Sequence, residues 1–217
     1  MSCAGGPDLV QNGLVLCLDA ANRKSYSGSG TVWKDLASSN NGTLTNGPSY
    51  TNSNGGNIVF DGSNDYASIN PTILNTSWSF CCFFKQTNNA SWASLYSQDG
   101  LFLWIGLIPS SRAIRIHTNN SAGLDTPSNV YDVNVPVFLG ISSSPSTLTV
   151  FINNNKYSLT AGANPSSAST SKIASYSTGF KDFFTGLIYS IFMYNRNLSD
   201  TELLQNYNSL KGRFLLT

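Results

Sequence analysis

The chain has 217 residues and a formal net charge of +1, and only 11% of its residues are charged, where about a quarter is usual. So sparse and unpatterned a charge excludes bulk electrostatic attraction to nucleic acid or to an anionic membrane. The 41% hydrophobic and 12% aromatic content argues against disorder and for one packed domain, and no shift in composition marks a second.

Residues 1–10 read as a short Gly- and Pro-containing arm, and the domain proper as 11–217. The arm lacks the basic region and apolar core of a signal peptide. No apolar run reaches bilayer length, so no membrane insertion is expected. Leu14, Leu16 and Leu18 alternate through 13–19, which predicts a strand with one buried face. Residues 22–57 form a Ser/Gly/Asn/Thr-rich excursion, pinned to the core by Trp33 and Leu36 and turned by Asn-Gly pairs at 41–42 and 46–47. Segments 57–60 and 65–70 read as a strand pair across Asp61-Gly62-Ser63-Asn64. The dense strand 77–85 sets Trp78, Phe80, Cys82 and Phe84 on one face.

Strands at 93–96, 101–107 and 113–118 follow, and then a loop over 121–132 that contains Pro127. Segments 135–142 and 147–152 are strands, and Asn153-Asn154-Asn155 turns the second into 156–159 as a hairpin. A Ser/Ala/Asn loop at 161–171 leads to a short edge strand at 172–175. From Leu187 to Tyr194 nearly every residue is apolar or aromatic, which predicts a strand covered on both faces. Ser199-Asp200-Thr201-Glu202 then fits a capping box. Leu203, Leu204, Tyr207 and Leu210 recur at helical spacing, and Gly212 stops the helix. Many short strands separated by turn residues predict an all-β, two-sheet antiparallel sandwich with one short C-terminal helix.

Catalytic chemistry finds few residues to use. Glycoside hydrolysis calls for two carboxyl groups flanking the scissile bond, and the single glutamate, Glu202, is explained as a helix cap. Asp61 and Asp65 come nearest to a pair, but Asp61 sits in a turn beside Gly62, where aspartate accepts backbone hydrogen bonds. The one histidine, His117, follows Ile114-Arg115-Ile116, so His117 and Arg115 face outward together as surface residues. No nucleophile elbow and no phosphate loop is present. No catalytic residue is assigned and no enzymatic activity is expected. Cys3, Cys17, Cys81 and Cys82 do not form a disulfide framework. A Cys3–Cys17 bridge is the most that could form, and buried free thiols are the plainer reading. Carbohydrate binding needs exposed aromatic faces with amides and hydroxyls nearby. Trp92, Tyr96, Trp104 and Tyr131 are the candidates, close in sequence to Asn88, Asn89, Asn119, Asn120 and Asp125. The competing reading places each of these rings in the sandwich core.

Near the C-terminus, Phe184-x-Gly186-x-Ile188 is followed by Tyr194-Asn-Arg-x-Leu198-Ser199 and a helix that ends near Tyr207-Asn208. Upstream, Asn12-Gly-Leu-Val-Leu-Cys-Leu-Asp-Ala, Trp33-Lys-Asp-Leu, Asn41-Gly-Thr-Leu, Asn46-Gly-Pro and Phe60-Asp-Gly-Ser-Asn-Asp-Tyr occur in that order. Together, over roughly 9–214, these phrases resemble laminin-G-like jelly rolls of the concanavalin A-like lectin/glucanase superfamily. They are similar to a subgroup common in bacteriophage structural proteins and marine bacterial surface proteins. The resemblance implies a non-catalytic structural or decoration protein on the exterior of a virus particle, assembled in the host cytoplasm. It would be a homo-oligomer with capsid or tail proteins as partners, accompanied by weak adhesion to cell-surface glycan. The alternative is a stand-alone, extracellular lectin-like carbohydrate-binding module, and after that a polysaccharide-degrading enzyme. Relatives often hold a structural calcium through aspartates, and the counterparts here would be Asp19, Asp61, Asp65 and Asp182. Many of them carry an acid where this chain has Tyr189, so calcium is not favoured and no other cofactor is expected.

Overall fold

A computed structural model describes residues 8–70, 76–98, 103–119, 122–160, 170–178 and 181–216. In chain order its strands are β1 (Leu14–Asp19), β2 (Val32–Trp33), β3 (Gly42–Thr45), β4 (Ser49–Thr51), β5 (Asn57–Asp61), β6 (Tyr66–Ile69), β7 (Trp78–Gln86) and β8 (Ala93–Gln98). They continue with β9 (Leu103–Leu107), β10 (Ile114–Thr118), β11 (Leu124–Asp125), β12 (Val137–Ser143), β13 (Thr147–Ile152), β14 (Asn155–Thr160), β15 (Ser171–Ile173) and β16 (Thr185–Tyr194), and the helix α1 spans Asp200–Leu210. They form two eight-stranded antiparallel sheets among the described residues. Sheet A runs β14-β13-β12-β7-β16-β5-β4, with β1 also on β16, and sheet B runs β11-β10-β9-β8-β15-β6-β3-β2.

The alternation of β7 settles the layering. Trp78, Phe80, Cys82 and Phe84 enter the core between the sheets, as the sequence predicts. Cys81 and Phe83 point the other way, into a second core beneath α1. Sheet A is thus apolar on both faces, and each fully buried large side chain contributes about 1.5–3 kcal/mol. Strand β16 shows why its sequence is continuously hydrophobic. Its register against β7 slips between Ile188 and Ser190. Before this bulge the even-numbered Ile188 faces the inter-sheet core. After it the odd-numbered Ile191 and Met193 do, while Tyr189, Phe192 and Tyr194 face the helix.

The capping box is present as read. The Ser199 side chain accepts from the Glu202 amide, and the Glu202 carboxylate accepts from the Ser199 amide at 2.8 Å. Leu203, Tyr207 and Leu210 are buried against sheet A. Gly212 does not end the helix through a left-handed backbone. Lys211 stays helical, and the tail turns so that Phe214 packs on Phe83 and Tyr189.

Other expectations are corrected. Strands β5 and β6 do not pair. β5 lies between β4 and β16, and β6 between β3 and β15, so the link at 62–65 passes from one sheet to the other, as sandwich corners require. Strand β15 is interior to sheet B, between β8 and β6, because Ile173 belongs to the inter-sheet core. The loop at 121–132 contains the two-residue β11, which pairs with β10. Trp33 is fully buried, whereas the Leu36 side chain is 40% exposed and that residue is tied to β1 through its amide, which donates to the Cys17 carbonyl at 2.9 Å. The last residues of the expected arm belong to the domain. Val10 is buried, its amide donates to Asn206 Oδ1 at 2.9 Å, and its carbonyl accepts from the Tyr194 hydroxyl at 3.0 Å. Residues 1–7, with Cys3, and the loop at 161–169 lie outside the described residues. Cys17, Cys81 and Cys82 are buried free thiols, and burial pushes the Cys17 and Cys81 thiols up to about 12.

Candidate functional site

The helix seals the outer face of sheet A, while the outer face of sheet B is left to polar and aromatic side chains. On β9, Leu103, Ile105 and Leu107 enter the core, so Trp104 and Gly106 face outward. On the neighbouring β10, Ile114 and Ile116 enter the core, and Arg115 and His117 face outward beside them. The segment that follows β15 then folds back toward β8. The amide of Phe184 donates to the carbonyl of Ala174 at 2.9 Å, and that of Tyr176 to Lys181 at 3.0 Å. The amide of Ser94 donates to the Asp182 carbonyl at 2.8 Å, and that of Ser177 to Ser97 Oγ at 3.0 Å. These bonds bring Tyr176, Lys181 and Asp182 to the rim. The result is an open hollow of about 260 Å³ with Trp92, Trp104 and Tyr176 as aromatic walls and Arg115, His117, Lys181 and Asp182 as polar groups.

Each ring is fixed. Trp104 Nε1 donates to Ser94 Oγ at 2.7 Å. Its indole folds down over Gly106, where any Cβ would collide with it. The Trp104 centroid lies 5.7 Å from that of Trp92, 5.5 Å from His117 and 6.5 Å from Tyr176, within the range of favourable aromatic contact. Arg115 forms a two-pronged bond to Asp125 of β11, both contacts 2.6 Å, and its guanidinium stands 5.1 Å from the Trp92 ring centre. A half-exposed pair of this kind contributes only about 0–1 kcal/mol to stability. Its effect is to hold a cation against the indole. Gly123 makes room for this arrangement, since a Cβ there would approach Arg115 Cδ at 2.5 Å and His117 Nε2 at 2.8 Å. Lys181 Nζ stands 4.9 Å over the Tyr176 ring. Burial pushes the Asp182 carboxyl above the ordinary carboxylate value, and the Lys181 charge offsets part of this.

The structure divides the residues singled out from sequence. Trp92 and Trp104 come together, Trp92 half-buried and Trp104 only 4% exposed, with its accessible edge on the hollow. Tyr96 and Tyr131 do not join them. Tyr96 is wholly buried between the sheets beside Phe80, with its hydroxyl 3.1 Å from Gln98 Oε1. Tyr131 is 5% exposed, lies edge-on to Phe84 and donates to Gln86 Oε1 at 2.6 Å. Both are corrected to core residues, because their rings belong to the inter-sheet core, which Trp104 does not. Of the nearby polar residues, Asp125 serves the site by holding Arg115, and Asn120 lies outside the described residues.

The four aspartates do not converge either. Asp19 pairs with Arg213 at 2.7 Å at the far side of sheet A. Asp61 Oδ1 accepts from the Ser63 amide at 2.7 Å, and Asp65 Oδ2 from the Asp61 amide at 3.2 Å, so both stabilise the sheet-to-sheet corner. Only Asp182 reaches the hollow. Among the described residues no group of three His, Cys, Asp or Glu side chains gathers to hold a metal ion. The acidic position replaced by Tyr189 faces the helix core.

Sequence reading set Arg115 and His117 aside as surface residues, and it missed Tyr176 and Lys181. The outward alternation of Ile114-Arg115-Ile116-His117 was a usable signal for the first two. Nothing local marks the others, which reach the site through a fold-back after β15. A tighter hollow of about 190 Å³ lies between residues 8–14 and the end of α1. Two of its charged groups, Asp19 and Arg213, pair with one another at 2.7 Å, and we place no site there.

Comparison with known proteins agrees with this architecture. Residues 61–204, more than half of the chain, match the family model of the concanavalin A-like lectin/glucanases superfamily, in its laminin-G form. Comparison with curated protein sequences gives no match. Among solved structures, the chain is similar to domain 4 of AbnA, a GH43 extracellular arabinanase from Geobacillus stearothermophilus, in complex with arabinotriose. The TM-score is 0.69 at 13% identity, covering 89% of this chain and 98% of that one. It is also similar to the binding domain of botulinum neurotoxin DC in complex with SialylT, with a TM-score of 0.71 at 12% identity, covering 92% of this chain and 52% of that one. Trypanosoma rangeli sialidase in complex with sialic acid aligns with a TM-score of 0.66 at 14% identity over 93% of this chain, which spans only 33% of the sialidase. These identities carry the fold alone. By its sequence match and its two-sheet architecture, this chain belongs to the concanavalin A-like lectin/glucanase superfamily.

Proposed function

We propose that this chain is a lectin-like, non-catalytic module that binds glycan on the outer face of sheet B. The observation that carries the reading is the Trp92–Trp104 pair, which stands beside Arg115, His117, Lys181 and Asp182 in one open hollow. Indole faces stack on the C–H faces of sugars, and the polar groups around them reach the hydroxyls. The neighbours crystallised with arabinotriose and with SialylT are consistent with a sugar-binding role for the fold. Absence of catalysis is supported by the use to which Glu202 is put. Its carboxylate is bonded to Arg196 at 2.6 and 3.0 Å, holding it down at about 2, so it has no proton to give near neutral pH.

Display on the exterior of a virus particle is the setting we propose for this module. It is supported by the run of phrases from Asn12 to Tyr66 and by an open sheet edge at β14, where side chains alternate between exposed and half-buried. The test is a glycan array probed with the wild-type chain and with Trp92→Ala, each with and without a calcium chelator. Binding that the substitution abolishes and the chelator leaves unchanged supports the reading. A blank array overturns it. Labelling of intact particles by antibodies against the chain tests the setting separately, and its absence would remove the virion role alone.

A further inference from the structure

We infer that the site takes at least two consecutive sugar units, one in each of two adjoining hollows that share Trp92, so that its ligand is an oligosaccharide rather than a single terminal sugar. This rests on the glycan reading above. A second hollow of about 410 Å³ adjoins the first and shares two residues with it, Trp92 and Asp182. Its remaining wall comes from Gly62, Ala90, Ser91, Pro109 and Phe183. The first hollow, of about 260 Å³, falls below the roughly 300–1,000 Å³ usual for a small-molecule site, and the two joined lie well within it.

The two halves differ in chemistry. Arg115, His117 and Lys181 all stand on the first hollow, and the second holds none of them. Its lining is small, apolar or neutral, apart from the shared Asp182. A unit in the first hollow meets Trp92, the accessible edge of Trp104 and three basic groups that can discriminate its substituents. A unit in the second meets the shared Trp92 together with Pro109 and Phe183, which suits any ring that presents C–H groups. The backbone on one wall of the second hollow is fixed by Gly62. A side chain there would collide with the Thr185 hydroxyl, and its backbone φ of +78° is one that favours glycine. Identity is therefore read in the first hollow, and chain length is rewarded in the second.

The experiment is isothermal titration with one-, two- and three-unit members of the arabinan, glucan, galactan and sialyl-terminated series. The proteins are the wild type and Ala90→Arg, which places a long side chain in the second hollow from an exposed position outside the lining of the first. The expected result is an affinity gain of at least about tenfold from one unit to two or three. Ala90→Arg should remove this gain and leave the one-unit affinity unchanged. If one unit binds as tightly as three, or if Ala90→Arg leaves the gain intact, the two-unit site is overturned while the glycan reading stands. If no member of any series binds the wild type, both fall together.

Discussion

The two outer faces of this sandwich both carry aromatic side chains, and they use them in opposite ways. On sheet A, Phe83, Phe138, Tyr189, Phe192 and Tyr194 are covered by α1 and by the tail that brings in Phe214. On sheet B, Trp104 lies flat on its own strand, Trp92 stays half-buried, and no helix covers them among the described residues. The difference shows that aromatic content by itself does not tell an open face from a sealed one. What separates the faces is what each ring's neighbours can satisfy. Under the helix the polar groups close on one another, as Asn206 does with Val10 and Tyr194. On sheet B, Arg115, Lys181 and Asp182 retain contact with solvent.

The most damaging way to break this contrast is to open the sealed face. Phe83→Ala removes a fully buried ring whose centroid lies 4.8 Å from that of Phe138 and 5.1 Å from that of Phe214. It should cost about 3–5 kcal/mol in denaturant unfolding, while glycan affinity of the folded fraction stays unchanged. On the open face, Gly106→Ala drives a methyl into the Trp104 indole. A loss of about 1–3 kcal/mol is expected from such overpacking, together with weakened glycan binding, because the indole must lift from its seat. Stability and affinity changing together there, but only stability at Phe83, would sharpen the division.

Trp92→Ala should invert the pattern. Its ring is half-exposed, so unfolding should change by less than about 1 kcal/mol, whereas affinity should fall by about tenfold or more, the effect of truncating an aromatic anchor. An unchanged glycan affinity would show that Trp92 is packing alone. At the helix start, Ser199→Ala removes the N-cap and should cost about 1 kcal/mol in unfolding, with no effect on the sheet B hollow. The smallest expected effect is in acid. Hydrogen bonds from Arg196, and then from Ser199, hold the Glu202 carboxyl at about 2 instead of 4.5. Its folded value is the lower one, so its contribution is fully present above about pH 4.5 and is lost as the pH falls toward about 2. Unfolding followed through that window should show a loss of stability that Glu202→Gln removes, of under about 1 kcal/mol for a solvent-screened pair with 27% and 29% of its side chains exposed.

Much of this was legible in residues 184–210. The alternation of apolar side chains, the capping box at Ser199 and the face made by Leu203, Tyr207 and Leu210 all rest on neighbours a few positions apart. What failed in the reading was long-range. The 61–65 turn looked like a hairpin because its composition suits one, yet Ile58 and Phe60 are taken by sheet A and Ala67 and Ile69 by sheet B. Strand 171–173 looked like an edge because it is short, yet β6 and β8 close on both sides of it.

The candidate site was legible only in part for the same reason. Trp92 and Trp104 were found as aromatics near turns, but Tyr96 and Tyr131 met that description equally well. By itself the sequence determined that the chain is a two-sheet antiparallel sandwich with one capped helix, since period-two alternation, turn residues and the Ser199–Glu202 box are local chemistry. The tertiary structure alone decided which aromatics stay accessible. The register slip within β8 between Ser94 and Tyr96 is set by its pairing with β9, and the fold-back that carries Tyr176, Lys181 and Asp182 to Trp104 by a contact between Ser97 and Ser177, which are 80 residues apart. Alternation says that two neighbouring side chains point to opposite sides of a strand; only packing decides which side meets the core.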